Sequence, residues 1–391
     1  MSWKETSPVQ EREAFVKAAL SQSLSMTAAC RKFGVSRKTG YKWLDRYDEM
    51  GRQGLVDQSR APHQQGRETS EEVVDRILEF RRRHRSWGPK KIGACLEEEE
   101  TETAWPAVST IGLILKRHGF IKGRRHRPRK LAPGSETWTV ARGPNEVWTT
   151  DFKGKFRMGD GQYCHPLTLV DDFSRYILKC RGLQRATRDL SRPVFEAAFR
   201  DYGLPKVIRS DNGKPFADIG PGRLSRLSVW WIKLGIWPEQ IAVGHPEQNG
   251  RHERMHRELK RETARPGSSN GRAQQRRFDG FCEEYNRERP HEGIGFKKPA
   301  DLYRRSLRPY PSKLREIEYP GHYEVRKVSS PGWFSWKGDW IYVSACLSGE
   351  YVGLREIADG IWRVYFDALE LGVVDESLKP RPGHLRKVLP M

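Results

Sequence analysis

Glu253 is a carboxylate on a helical face otherwise built of cations. In the stretch 250–260, Glu253, Arg257 and Lys260 fall at i, i+4 and i+7, so they share one side of a helix. A face meant only for a polyanion has little use for an acid; a divalent metal held between that acid and a phosphate supplies one. The plain alternative is a surface ion pair of Glu253 with Arg254 or Arg257. Asp151 lies inside the apolar run Val147-Trp148-Thr149-Thr150-Asp151-Phe152, where an unpaired buried carboxylate is costly. Asp211 precedes Asn212-Gly213 and by itself reads equally as a turn former. Asp171 and Asp172, beside Ser174 and Arg175, read as turn-capping and ion-pairing groups, whereas Glu258 and Glu262 read as solvated.

Strands and helices of a mixed α/β domain carry these residues. Residues 146–152, 163–170 and 176–180 alternate as strands joined by short turns, which predicts an antiparallel meander. The period of 188–202 is helical, 205–210 is a short apolar strand ending at Asp211, and 224–234 is an amphipathic stretch before another strand near 236–243. Trp230, Trp231 and Trp237 are expected to pack in the core rather than stack on bases.

In front of this domain the pattern is helical. Residues 27–43 have the layout of a helix-turn-helix: Gly34 permits the turn, Val35 plugs the helix interface, Ser36 caps the second helix, and Arg37, Lys38 and Lys42 lie on the recognition helix. A small helical bundle with solvated charges is the alternative. Residues 51–67 read as a linker. A second helical unit, 70–118, resembles another helix-turn-helix, with Ser109 as a cap of its third helix and Glu97–Glu100 as a solvent face. Between Lys116 and Lys130 there are eight Lys or Arg residues, Arg124, Arg125 and Arg127 among them, and no acid. That composition suits a segment that tracks phosphates. After residue 319 short strands with glycine-containing turns predict a small β-barrel, followed by a basic tail at 379–384.

The 391 residues include 71 Lys or Arg against 50 Asp or Glu, a formal charge of +21 that points to a polyanionic partner. No stretch has the roughly 20 apolar residues of a membrane span, and the N-terminus lacks the pattern of a signal peptide, so no membrane association is expected. Six cysteines without a C-x-x-C pair exclude a zinc ribbon and a redox motif, and predict reduced, packed thiols. His245, His252, His256 and His291 have no cysteine at ligand spacing, which weighs against zinc. No phosphate loop for a nucleoside triphosphate is present, so no use of ATP is expected.

Four separated motifs make the reading specific: Trp148-Thr149-Thr150-Asp151, Leu169 to Arg175, Ser210 to Phe216, and Asn249 to Lys260. In this order, with Phe281 to Glu292, Pro299 and Tyr303 after them, the chain resembles the DDE transposases of bacterial insertion sequences, whose catalytic core is of the retroviral-integrase type. The resemblance covers roughly residues 20–305. It implies an RNase H-like core at 136–305, behind a helix-turn-helix domain at 1–60 and a second helix-turn-helix with basic linker at 61–135, and before a small β-barrel with its tail at 306–391. It implies Asp151, Asp211 and Glu253 as catalytic, metal-binding residues for two Mg²⁺ ions, with Mn²⁺ as a substitute. The interval from Asp211 to Glu253 is longer than the family usually shows; extra residues around 219–227 are expected to form a loop that absorbs it, and Glu247 is the fallback third ligand. Arg257 and Lys260 are expected beside the metals on phosphates, with Asn249 steering DNA.

The implied activity is cleavage at the element ends and joining of the freed 3′-hydroxyl to target DNA. Double-stranded DNA, as terminal inverted repeats and as target, is the implied partner. A homo-oligomer on DNA, in the bacterial cytoplasm at the nucleoid, is the implied setting. A DNA-binding regulator with a non-catalytic core and an RNase H-type nuclease are the competing readings.

Overall fold

The computed structural model describes residues 7–21, 24–58, 69–121, 139–241, 250–378 and 386–389. Arg124, Arg125, Arg127, His245, Glu247 and Asn249 lie outside the described residues. Residues 1–70 and 71–391 are two compact units. Among the described residues, no helix is long and apolar enough to cross a membrane, and the cysteines are unpaired thiols, with Cys30, Cys95, Cys164 and Cys180 buried.

The first unit is three helices, α1 (Pro8–Leu20), α2 (Met26–Lys32) and α3 (Arg37–Met50). Each is opened by a serine, Ser7, Ser25 or Ser36, whose hydroxyl accepts from the backbone two or three residues inside the helix. Between α2 and α3 Gly34 takes φ +64°, the left-handed turn that the pattern requires. Phe15, Val16, Ala29, Cys30, Trp43 and Leu55 form the core, with Val35 packed against them. Arg37, Lys38 and Lys42 stay exposed on α3, as does Tyr41, although it fits the apolar period of these helices.

One expectation fails here. Gly51–Leu55 is a 3-10 turn rather than the start of a linker, and Leu55 is fully buried. A Cβ at Gly54 would come within 2.0 Å of the Arg46 carbonyl oxygen, a backbone atom that cannot swing away. Gly54→Ala is therefore expected to destabilise this unit by roughly 1–3 kcal/mol, the cost of overpacking a tight site; a urea titration followed by helical circular dichroism measures it.

The second unit starts with α4 (Glu71–Arg83), α5 (Pro89–Glu99) and α6 (Val108–Arg117), packed around Ile77, Trp87, Ile92, Leu96, Ile111 and Leu115. Ser109 does not cap α6, which begins one residue earlier after Ala107. The acidic run ends α5, where the helix dipole disfavours it, and Arg76 answers by bonding Glu100 at 2.8 Å and Glu99 at 3.4 Å.

The central sheet contains β1 (Val147–Phe152), the short β2 (Phe156–Arg157), β3 (Tyr163–Asp171), β4 (Ile177–Leu183), β5 (Val207–Ser210) and β6 (Trp237–Gln240). β3 pairs antiparallel with both β1 and β4, giving the expected meander, and β5 and β6 then extend the sheet in parallel from β1. On one face α7 (Arg188–Tyr202) and α8 (Arg226–Lys233) cover Trp148, Leu167, Leu169 and Ile208. On the other α9 (Gly250–Thr263) and α10 (Gly271–Glu283) cover Val170, Ile177 and Cys180. Strand alternation sorts residues between these faces: Trp148 goes to α7 and α8, while Thr149 and Thr168 bond a histidine of α9.

After α10 a π-turn, Glu284–Glu288, aims Asn286 at the sheet, where its amide bonds both the N–H (2.8 Å) and the C=O (3.0 Å) of Ile177. Following α11 (Pro299–Leu302), the Tyr303 hydroxyl reaches Asn145.

The C-terminal strands are β7 (Glu324–Lys327), β8 (Trp333–Trp336), β9 (Asp339–Tyr342), β10 (Tyr351–Ala358), β11 (Ile361–Phe366), β12 (Leu369–Asp375) and β13 (Arg386–Lys387). They pair as two sheets, β12-β11-β10-β7 and β13-β9-β8, that share one apolar core. Among the described residues the ladders do not close into a ring, so the expected closed barrel is replaced by two sheets, linked only by single bridges from Ser329 to Trp333 and from Val373 to Leu389. Its core takes in Leu224, Val229 and Ile232, and Lys233 bonds Glu350 at 2.8 Å. Helix α8 is thus buried on two sides instead of amphipathic, with Trp230 and Trp231 in the sheet's core and Val229 and Ile232 in the C-terminal core. Trp237, expected inside, is 40% exposed on the edge strand β6.

Candidate active site

Asp151 is next to last in β1, on the face that α9 covers, and is paired across the ladder with Thr168. Asp211 directly follows β5, whose Ser210 is in register with Thr150, so the two aspartates continue adjacent parallel strands. Burial raises the proton affinity of both carboxyls, and the charge of Asp151 raises that of Asp211 further. Two partly desolvated acids that repel each other are a site short of positive charge. Asp211 also accepts from Gly213 N–H at 3.2 Å, so the turn-forming use weighed from the sequence is real as well.

Glu253 sits exposed in the first turn of α9. With Asp151 it lines a cavity of about 530 Å³ whose other walls include Lys153, Arg257, Lys260 and Arg265. The helical spacing thus delivers one acid and two cations to the same opening, as the i, i+4, i+7 pattern requires. Lys153 and Arg265 were missed; Lys153 is two residues from Asp151, and Arg261, also on the wall, is one turn beyond Arg257.

The structure brings the three acids together in pairs, Asp151 with Asp211 and Asp151 with Glu253. Among the described residues, no trio of acidic, histidine or cysteine side chains converges closely enough to hold a metal ion. The three carboxylates still fit a hard divalent cation in kind, and Lys153, Arg257, Lys260 and Arg265 line the same cavity. Of the residues expected to form a loop between Asp211 and Glu253, those up to Ser225 do so, with Pro221–Arg223 a 3-10 turn, whereas Arg226 and Leu227 already belong to α8; a Cβ on Gly222 would meet Leu371 and Leu369 of the C-terminal sheets.

Two histidines seat α9 on the sheet. His252 Nδ1 is 2.8 Å from Thr149 Oγ1, and Thr168 Oγ1 is 2.6 Å from both His252 Nε2 and His256 Nε2. His256 Nδ1 approaches Asp151 at 3.4 Å. Burial pushes both imidazoles down to about 3, so they are neutral rings shared among the Thr149 and Thr168 hydroxyls. Thr168→Val keeps the volume and strands two ring nitrogens. We expect it to cost about 1–3 kcal/mol of stability, read from the urea midpoint.

Neighbouring acids have other partners. Asp171 accepts from Asn145 N–H, Ser174 N–H and Ser174 Oγ, and Asp172 pairs with Arg175 and Arg251, so both are the capping and pairing groups expected. Glu258, by contrast, is not merely solvated: it bonds Arg289, 1% exposed, at 2.6 Å, and Glu262 lies 3.6 Å from the same guanidinium.

The chain matches the integrase core domain family over residues 141–246 and a second integrase core family over 234–299. Residues 11–63 match a helix-turn-helix domain, 39–115 a homeodomain-like domain, and 323–380 the C-terminal domain of IS481 family transposases. The insertion element IS407 31.7 kDa protein of Burkholderia multivorans is 24% identical over 72% of this chain and 91% of its own length. The insertion element IS476 39.2 kDa protein of Xanthomonas euvesicatoria is 27% identical over 76% of this chain and 78% of its own. Among solved structures, the HTLV-2 integrase catalytic core domain in complex with magnesium aligns at 15% identity and TM-score 0.34, over 42% of this chain and all of that one.

Proposed function

For a chain that belongs to the insertion-element transposases, with an integrase core behind helix-turn-helix units, we propose metal-dependent DNA strand transfer. The enzyme cleaves at the element's ends and joins the freed 3′-hydroxyl to target DNA. The observation that carries this reading is the cavity in which Asp151 and Glu253 face Lys153, Arg257 and Lys260, with Asp211 on the strand next to Asp151.

Asp151, Asp211 and Glu253 would hold a pair of Mg²⁺ ions, or Mn²⁺ in their place, and such a pair stabilises charge on the entering and leaving oxygens of a phosphodiester. Arg257 and Lys260 hold the neighbouring phosphates, as cations lining the same opening. His252 and His256 fix the face of α9 that looks at β1 and so set where Glu253 starts. Glu253 is exposed in the first turn of its helix, and it completes the triad when DNA is bound. Recognition of the terminal repeats falls to Arg37, Lys38 and Lys42 of α3 and to the basic segment with Arg124, Arg125 and Arg127, with Asn249 guiding the strand. Holding two ends at once calls for a homo-oligomer on DNA. The division into domains at about residues 60, 135 and 305 follows from the same reading.

The test is a joining assay with Mg²⁺, a labelled duplex carrying the element's terminal repeat, and a plasmid target. Joined products are expected. Products that are only hydrolysed would make the chain a nuclease, and bound but unaltered duplex would make it a regulator.

A further inference from the structure

The catalytic cavity does not end at Arg265. A second cavity of about 410 Å³ shares Arg261 and Arg265 with it and runs on between α4 and the core, where Arg83, Arg85 and Arg277 join its walls. Its acids are already paired, Glu284 and Glu262 with partners that include two residues of the same wall, His84 and Arg261. Glu284 sits 3.2 Å from His84 Nδ1, and Glu262 lies 3.4 Å from Arg261 and 3.6 Å from Arg289. Arg277 is tied down as well, donating to the carbonyls of Pro266 and Glu262. Arg83, Arg85 and Arg265 remain exposed along this wall.

The two walls hold together as one surface. His84 stacks on Trp87 with ring centroids 3.8 Å apart and reaches Glu284 of the core. Lys90 pairs with Glu292, and Glu98 with Lys298. The helical unit α4–α6, part of the homeodomain-like match, is thereby clamped to the core beside the catalytic opening. A row of arginines that starts at a scissile-phosphate site and ends under a DNA-reading unit fits a sugar–phosphate backbone leaving that site.

We propose that this arginine groove is the track of the element-end duplex next to the cleaved bond, rather than of target DNA, because its outer wall belongs to α4–α6, which falls in the homeodomain-like match together with α3 and reads the end alongside it. This rests on the strand-transfer reading above. The test measures binding in EDTA, where no bond is cut, so it stands or falls separately from catalysis.

Full-length protein is titrated into a labelled duplex carrying the terminal repeat, and into a random duplex of equal length. Arg83→Ala with Arg85→Ala is compared with Arg82→Ala and Arg181→Ala, two exposed arginines outside the groove. The groove pair is expected to lose about tenfold in affinity for the end duplex, with the salt slope reduced by about two. Its loss on the random duplex is expected to stay below about threefold, because phosphate contacts carry no sequence and a duplex that the helix-turn-helix units do not hold in register is not led along the groove; the control pair is expected to lose less than about threefold on either duplex. Unchanged affinity for the end duplex, an equal fall on both duplexes, or an equal fall in the control pair overturns the proposal.

Discussion

Asp151→Asn is expected to reduce joining of an element end to target DNA by at least about a thousandfold, while affinity for the end duplex stays within about twofold of the parent. The substitution keeps the shape of the side chain and removes its charge. A thousandfold corresponds to about 4 kcal/mol of transition-state stabilisation, more than the loss of one exposed phosphate contact would explain. Asp151 is the acid on which the site converges: it is the ladder neighbour of Thr168, lies 3.4 Å from His256, raises the proton affinity of Asp211, and shares a cavity with Glu253. Joining and binding assays on the same preparation separate the catalytic loss from a loss of DNA affinity.

Glu258→Ala should behave in the opposite way, costing stability first. Its carboxylate holds Arg289, a guanidinium that is 1% exposed, at 2.6 Å. Removing one partner of a buried pair leaves an uncompensated charge and typically costs 3–5 kcal/mol; Glu262, 3.6 Å away, takes up part of it, so about 3 kcal/mol is expected here. Lys91 of α5 is in the same cluster, pushed down to about 8 by burial and by the charge of Arg289, with Glu258 and Glu262 opposing the shift. A urea titration of the full chain reads the loss. Glu253→Gln, five residues away on the exposed face, is expected to leave that midpoint unchanged.

This contrast shows where sequence suffices. Alternation marked β1, β3 and β4 and placed Asp151 in a strand, because an acid inside an apolar period-2 run bears a desolvation cost that a counter-charge must offset. The turn at Gly34 was legible for a similar reason, since its residue types follow from local backbone geometry with Ser36 capping the next helix. What distant segments decide was not legible. Glu258 reads as solvated until Arg289, brought in by the π-turn after α10, reaches it. Helix α8 reads as amphipathic because its second cover, Val364 and Leu371, comes from the C-terminal strands. Trp237 was expected in a core, but β6 closes the edge of the sheet and leaves the ring 40% exposed. Leu55 read as linker because glycine and polar neighbours hide a residue that the three-helix core buries completely. In the site, α9's periodicity delivered Arg257 and Lys260 beside Glu253, whereas the pairing of His252 and His256 with Thr149 and Thr168 depends on the register between helix and sheet.

The central claim is that Asp151, Asp211 and Glu253 share divalent ions around the scissile phosphate. Its most direct measurement is Mn²⁺ binding, counted by electron paramagnetic resonance on the full-length protein bound to an end duplex with a non-cleavable linkage. About two ions per site are expected for the parent, with fewer in each of Asp151→Asn, Asp211→Asn and Glu253→Gln, and no change in Glu262→Gln. An ion count that none of the three substitutions lowers would contradict the account.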